Sequence, residues 1–181
     1  VEFYNKIYGQ KGWKAITIRS LSIGQGEILV TPLQLANQAA AIANKGHYIT
    51  PHFNRNDSMQ IEIYNTLVHP KHFDVVHRGM SRVMTEGTGR WYNIPELQMC
   101  GKTGTVQNPH GEDHALFIGF APMDNPKIAI AVAVENAGFG ATWACPIATL
   151  VMEQYLCGKI ERNALYERMR SANLINPTNN Q

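Results

Sequence analysis

The chain carries little surplus charge. Sixteen Lys and Arg stand against 14 Asp and Glu, a net of +2, and only 17% of the 181 residues are charged. No Lys/Arg cluster concentrates that charge, which excludes the electrostatic footprint of a nucleic-acid binder. Long apolar runs are missing as well: nothing approaches the ~18 consecutive apolar residues that a membrane-spanning helix needs. The start, VEFYNKIYGQ, has neither the layout of a secretory leader nor an initiator Met, and the expectation is a piece excised from something longer. Cysteine is scarce. Cys100, Cys145 and Cys157 are an odd number without C-x-x-C spacing, so neither a disulfide framework nor a zinc knuckle is indicated, and buried free thiols are expected.

What is present is 44% apolar, enough for one domain with a core or for part of a larger one. In GWKAITIRSLSIG, Ile16, Ile18 and Leu21 suggest a short strand or extended stretch, broken by Gly24 and Gly26. Thr31-Pro32-Leu33-Gln34 is a helix start: Thr31 caps, Pro32 loses no needed N–H, and Gln34 reaches back. That helix should run to about Lys45, stop at Gly46 and present a small face of Ala36, Ala39, Ala40 and Ala43. Tyr48 to Leu67 reads as a short hairpin or loop excursion. A second helix is expected from Pro70 to about Glu86, with Phe73, Val76, Met80 and Val83 as its apolar stripe and Gly87 and Gly89 ending it.

Three strands follow: Leu97 to Val106, Ala115 to Ala121 and Ile128 to Glu135. Pro122-Met-Asp-Asn-Pro126 makes the last two a hairpin. Ile128 to Val134 is apolar throughout, so both of its faces should be covered by helices. A helix from Pro146 to Leu156 closes at Gly158, and a short amphipathic helix around Leu165 to Met169 lies in a polar tail. The expected fold class is α+β, an antiparallel sheet sandwiched by helices. Its three strands make a small sheet with an open edge, as in a partial domain that lacks its N-terminal portion. The expected division is 1–158 for that partial domain and 159–181 for the tail.

The chemistry-bearing text is CGKTGTV. On a strand, side chains alternate, so Lys102 and Gly104 project to one face and Thr103 and Thr105 to the other. Lys102 supplies a compact positive charge and Thr103 a hydroxyl. Gly104 lets a ligand come against bare backbone whose free edge N–H groups can bond it. The set suits a carboxylate-bearing peptide bound as an added strand. A nucleotide loop is the rival for Gly101-Lys102-Thr103, but the required earlier glycine is replaced by Glu96 and no helix follows the lysine. Ile23-Gly24-Gln25-Gly26 lacks the full dinucleotide glycine spacing and reads as a tight turn. His69, His72 and His77 have no ligand set at standard metal spacing and read as surface histidines. His110 and His114 flank Glu112 and Asp113 beside the motif strand, and His114 is a further candidate for shaping the site. Trp13, Trp91 and Trp143 read as core or cleft-edge packing.

Lys-Thr-Gly is also the third motif of penicillin-binding proteins and serine β-lactamases. The blocks SLSIGQGEILVTPLQLANQAAAIANKG, FDVVHRGMSRVMTEGTG, CGKTGTVQNPHGEDHALFIGFAP and KIAIAVAVENAGFGATWACPIATLVMEQYL resemble the C-terminal half of the transpeptidase domain of class B penicillin-binding proteins. The nearest resemblance is to the cell-elongation enzyme, penicillin-binding protein 2, with a Bacteroidetes-like character. It implies peptidoglycan D,D-transpeptidation without a cofactor. Lys102, Thr103 and Gly104 would bind a stem-peptide D-Ala terminus or a β-lactam carboxylate, and the Thr105 backbone N–H would be an oxyanion donor. It also implies a parent anchored in the cytoplasmic membrane with this domain on its outer side, working beside a RodA-type glycan polymerase.

The family's nucleophile motif, S-x-x-K, is absent: none of Ser20, Ser22, Ser58, Ser81 or Ser171 has Lys three residues on. Ser171-Ala-Asn173 matches S-x-N as text but follows the Lys-Thr-Gly strand, where the family places it well before. The attacking serine and its lysine are therefore expected upstream of Val1, and the fragment alone is expected not to acylate. A noncatalytic binding module sharing the sheet is the alternative, and self-association of the fragment is one way to cover its open edge.

Overall fold

The computed structural model describes residues 2–10, 12–52 and 61–175. The chain divides into two compact units, Val1–Val30 and Thr31–Gln181.

The first unit holds helix α1 (Glu2–Tyr8) and helix α2 (Ala15–Ser22). The strand expected over Ile16, Ile18 and Leu21 is a helix instead. Its end explains why: Gly24, at φ +78°, donates to the Leu21 carbonyl, and Gln25 donates to Ser20. This pair of bonds around a left-handed glycine is the Schellman helix stop, so the Gly-Gln-Gly turn was a helix signal rather than a strand breaker. Tyr4 and Tyr8 both donate to the Glu27 carboxylate, and the Trp13 indole N–H donates to Asn5.

The second unit opens with α3 (Pro32–Ala43), carrying the expected capping box: Thr31 Oγ1 accepts from Gln34 N, and Thr31 N donates to Gln34 Oε1 at 2.8 Å. The excursion after it is a hairpin, β1 (His47–Ile49) against β2 (Ile63–Asn65), with residues 53–60 outside the described set. α4 (Pro70–Thr85) buries Phe73, His77, Met80 and Met84. Phe73 and Met80 of the expected stripe are buried, but Val76 is 41% exposed and Val83 half-buried, with His77 and Met84 in the inward places. The His77 Nε2–H donates to the Ile42 carbonyl at 2.7 Å and its ring lies 4.9 Å from that of Phe120. A histidine with its hydrogen bond satisfied is a viable core residue. His69 is exposed and caps α4 through Nδ1, and His72 is exposed beside it.

The sheet has order β3 (Cys100–Val106), β4 (His114–Ala121), β5 (Ile128–Val134), all antiparallel. The expected first strand is shorter at its start, where Pro95–Leu97 forms a 3₁₀ turn. β4 alternates cleanly. Ala115, Phe117 and Ala121 join Met152 and Ala148 of α5 (Ala144–Cys157), while Phe120 joins Cys100, Met80 and Ala43 on the α3/α4 side. Helices therefore cover both faces, the sandwich expected. β5 is nevertheless only half-buried and Ala133 is exposed. Among the described residues its sole neighbour is β4, so it lies at the second edge of the sheet.

α6 (Asn163–Ser171) packs back on α5. Arg162, just before it, donates Nε to the buried Glu153 at 2.8 Å and Nη1 to the Tyr92 carbonyl at 2.8 Å. Arg168 reaches the Tyr92 hydroxyl and the Thr142 carbonyl. Trp143 packs against the α5-side core, whereas Trp91 is 77% exposed with the Arg90 guanidinium 4.8 Å over its ring.

Candidate active site

β3 is an edge strand among the described residues, and its composition follows from what lies beside it. A Cβ on Gly101 would fall 2.2 Å from the Phe117 ring, so glycine there makes room for the core. Gly104 is less confined: a Cβ there would meet only the Leu116 side chain, tightly at 3.3 Å from Cβ and at 3.9 Å from Cδ1.

The expected alternation holds. Register pairs Lys102 with Ile118 and Thr103 with Phe117, which puts Lys102 and Gly104 on the α3/α4 side and Thr103 and Thr105 on the α5 side. Lys102 is exposed and its Nζ donates to the Thr103 carbonyl at 2.7 Å. Among the described residues no carboxylate pairs with it, so the ammonium is available to an incoming anion. In an antiparallel ladder, N–H and C=O groups of every second residue turn away from the partner strand. The lysine on the Thr103 carbonyl marks Thr103, and by parity Thr105, as that outward set.

Two contacts that the sequence reading missed fix the threonines. Thr88, between the glycines that end α4, places its Oγ1 2.8 Å from Thr103 Oγ1. Gly140, after β5, donates its N–H to Thr105 Oγ1 at 3.4 Å, and a Cβ there would sit 2.1 Å from the Gly104 carbonyl oxygen. The Gly-Thr-Gly run was the available signal for the first. Nothing local marks the second.

His114 pairs with Val106 in register, and its Nδ1 accepts from the Asn136 backbone N–H at 3.0 Å. It anchors the segment leaving β5 to the loop beside the motif strand, where Asn108 also donates to Asn136 at 2.7 Å. The Asp113 carbonyl accepts from Ala137 and Gly138. This ring of bonds ties the β3–β4 loop to the turn that carries Gly140.

Ser20, Ser22 and Ser171 each donate their hydroxyl to a backbone carbonyl of their own helix; Ser81 lies on α4 with Met84, not lysine, three residues on, and Ser58 lies outside the described residues. Burial, with Asp124 nearby, pushes the Cys100 thiol up to about 12, and burial does the same to Cys145 against the opposing pull of Arg162. Neither thiol is a thiolate at neutral pH, so neither is a nucleophile.

An edge strand presenting an ammonium, a hydroxyl and outward main chain has groups that can hold an acidic peptide end. The chain belongs to the penicillin-binding protein transpeptidase domain family, which matches residues 1–153. It is 34% identical to the peptidoglycan D,D-transpeptidase MrdA of Acinetobacter baumannii over 94% of this chain, and 34% identical to MrdA of Haemophilus influenzae over 86%. It spans 27% and 28% of those proteins' lengths. The crystal structure of Pseudomonas aeruginosa PBP2 in complex with WCK 5153 superimposes with TM-score 0.74 at 37% identity, covering 90% of this chain and 38% of that one. Helicobacter pylori PBP2 does so with TM-score 0.74 at 27% identity, covering 88% and 30%.

Proposed function

We propose that residues 1–158 form the C-terminal portion of a D,D-transpeptidase domain that cross-links peptidoglycan during cell elongation, with 159–181 as a tail. The observation that carries this reading is the β3 edge, open among the described residues, with Lys102 facing no carboxylate there and Thr103 and Thr105 turned outward. Lys102 and Thr103 bind the carboxylate of a D-Ala-D-Ala terminus or a β-lactam, with the substrate lying against Gly104 as an added strand. A serine on upstream polypeptide, activated by its S-x-x-K lysine, attacks the penultimate D-Ala carbonyl and the terminal D-Ala leaves. An amine of a neighbouring stem peptide then resolves the acyl-enzyme. The Thr105 N–H steadies the oxyanion, a contact worth about 3 kcal/mol of barrier in such reactions. His114 acts from behind, holding the turn that supports Thr105.

The parent is proposed to be membrane-anchored, with this domain on the outer side of the cytoplasmic membrane beside a RodA-type glycan polymerase. Among the described residues no helix is long and apolar enough to cross a membrane. A Helicobacter pylori PBP2 is seen in complex with MreC, and a partner of that kind is proposed for the parent. The test is labelling with a fluorescent penicillin followed by a denaturing gel. The 181-residue chain alone should give no covalent band, the full-length protein should give one, and Lys102→Ala should weaken it. A specific adduct on this chain alone would refute the upstream nucleophile.

A further inference from the structure

A hydroxyl has one proton and two lone pairs, so the Thr88–Thr103 contact has a direction, and the direction matters. If Thr103 donates to Thr88, its proton is spent and only lone pairs face an incoming carboxylate, itself an acceptor. If Thr88 donates, the Thr103 proton is free for the ligand. We propose that Thr88 is a positioning residue that donates its proton to Thr103 Oγ1, turning the Thr103 hydroxyl into a donor aimed at the ligand carboxylate. This rests on the reading of Thr103 as a carboxylate contact.

Thr88 is built into its place. A Cβ on Gly87 would fall 2.9 Å from Val83 Cα, and one on Gly89 2.6 Å from Met84 Sδ. Gly87 N–H donates to Arg82, Gly89 N–H to Val83, and the Gly89 carbonyl accepts from Tyr92 N–H at 3.0 Å. The turn therefore has little freedom, and the one side chain it carries points its oxygen at the motif strand. Thr88 itself is exposed, so burial does not account for it. Hydrogen bonds in series polarise one another, so the chain Thr88 to Thr103 to carboxylate strengthens the last link and favours an anionic ligand over a neutral one.

The test uses the full-length transpeptidase with its upstream region, and reads the second-order rate of acylation by benzylpenicillin together with the melting temperature. Thr88→Val keeps the shape and removes the hydroxyl, while Thr88→Ser keeps the hydroxyl and removes the methyl. Thr88→Val should slow acylation about tenfold with melting unchanged, and Thr88→Ser should stay within about twofold of wild type. Thr88→Val combined with Thr103→Val should be no slower than Thr103→Val alone, because the two hydroxyls act as a unit. A Thr88→Val rate equal to wild type, equal slowing by Val and Ser, or fully additive losses would each overturn the positioning role while leaving the carboxylate reading intact. A Thr103→Val protein that acylates at the wild-type rate would instead bring down the carboxylate reading, and the positioning role with it.

Discussion

At the scale of single residues, the glycines around β3 divide by what a methyl group would meet. Gly140→Ala drives a carbon into two carbonyl oxygens, at 2.1 and 2.3 Å, and backbone cannot step aside. We expect a loss of about 3 kcal/mol in denaturant unfolding. Gly104→Ala meets only the Leu116 side chain, tight at 3.3 Å but able to yield, and should cost about 1 kcal/mol. In the full-length protein it should slow acylation about tenfold or more, because in the proposed substrate pose the added methyl occupies the ligand's path. Equal stability losses for the two would contradict this division. The thiols differ in the same way. At about pH 8 a maleimide should label exposed Cys157 and leave native Cys100 and Cys145 unmodified, since burial keeps both protonated and covered. Peptide mass mapping decides it. The Lys102-Thr103-Gly104 group was legible because residue types and strand period are local. Thr88 and Gly140 meet the strand from 15 and 35 residues away, and such pairings exist only once helices and sheet have packed.

At the scale of elements, boundaries were readable where caps are made from side chains. Thr31→Ala removes the Oγ1 half of the α3 capping box and leaves the backbone N–H on Gln34; it should cost about 1 kcal/mol, measured by urea unfolding. α2 was misread because β-branched Ile16, Thr17 and Ile18 argue for a strand, while the stop that makes it a helix sits beyond them at Gly24. On α4, Phe73 and Met80 were legible, but Val76 was chosen over His77 because hydropathy scores His77 as polar and its partner on Ile42 is invisible in the sequence. Glu153 is a second buried polar group of this kind. Burial alone would raise its carboxyl, but the Glu161 backbone N–H and the Arg162 guanidinium more than offset that and hold it below the ordinary 4.5. Such a group stabilises the fold fully above its unfolded value, and the contribution fades as pH falls through the folded one. The stability gap between wild type and Glu153→Gln should therefore be wider at about pH 7 than at about pH 3. Arg162→Met strands the carboxylate and should cost roughly 3 kcal/mol, the low end for a buried pair because Arg162 keeps 23% exposure.

At the scale of the whole molecule, the antiparallel hairpin and its covering helices were expected from alternating and continuous apolar runs, whereas the second open edge was not. Ile128 to Val134 reads as fully enclosed, yet β5 is half-buried with one neighbour. A seven-residue apolar strand with a free edge is a template for pairing. The isolated 181-residue chain should associate as its concentration rises, and sedimentation velocity showing one monomeric species throughout would count against it.

The tail shows how far an end of the chain reaches. Arg162 and Arg168 grip Tyr92, three residues from the turn holding Thr88, and Arg168 also grips Thr142, two from Gly140. Shortening the protein after Cys157 would therefore slacken both flanks of the Lys-Thr-Gly strand at once. A deletion that touches no ligand-binding group would then blunt penicillin sensitivity, much as loosening one guy-rope lets a tent pole lean.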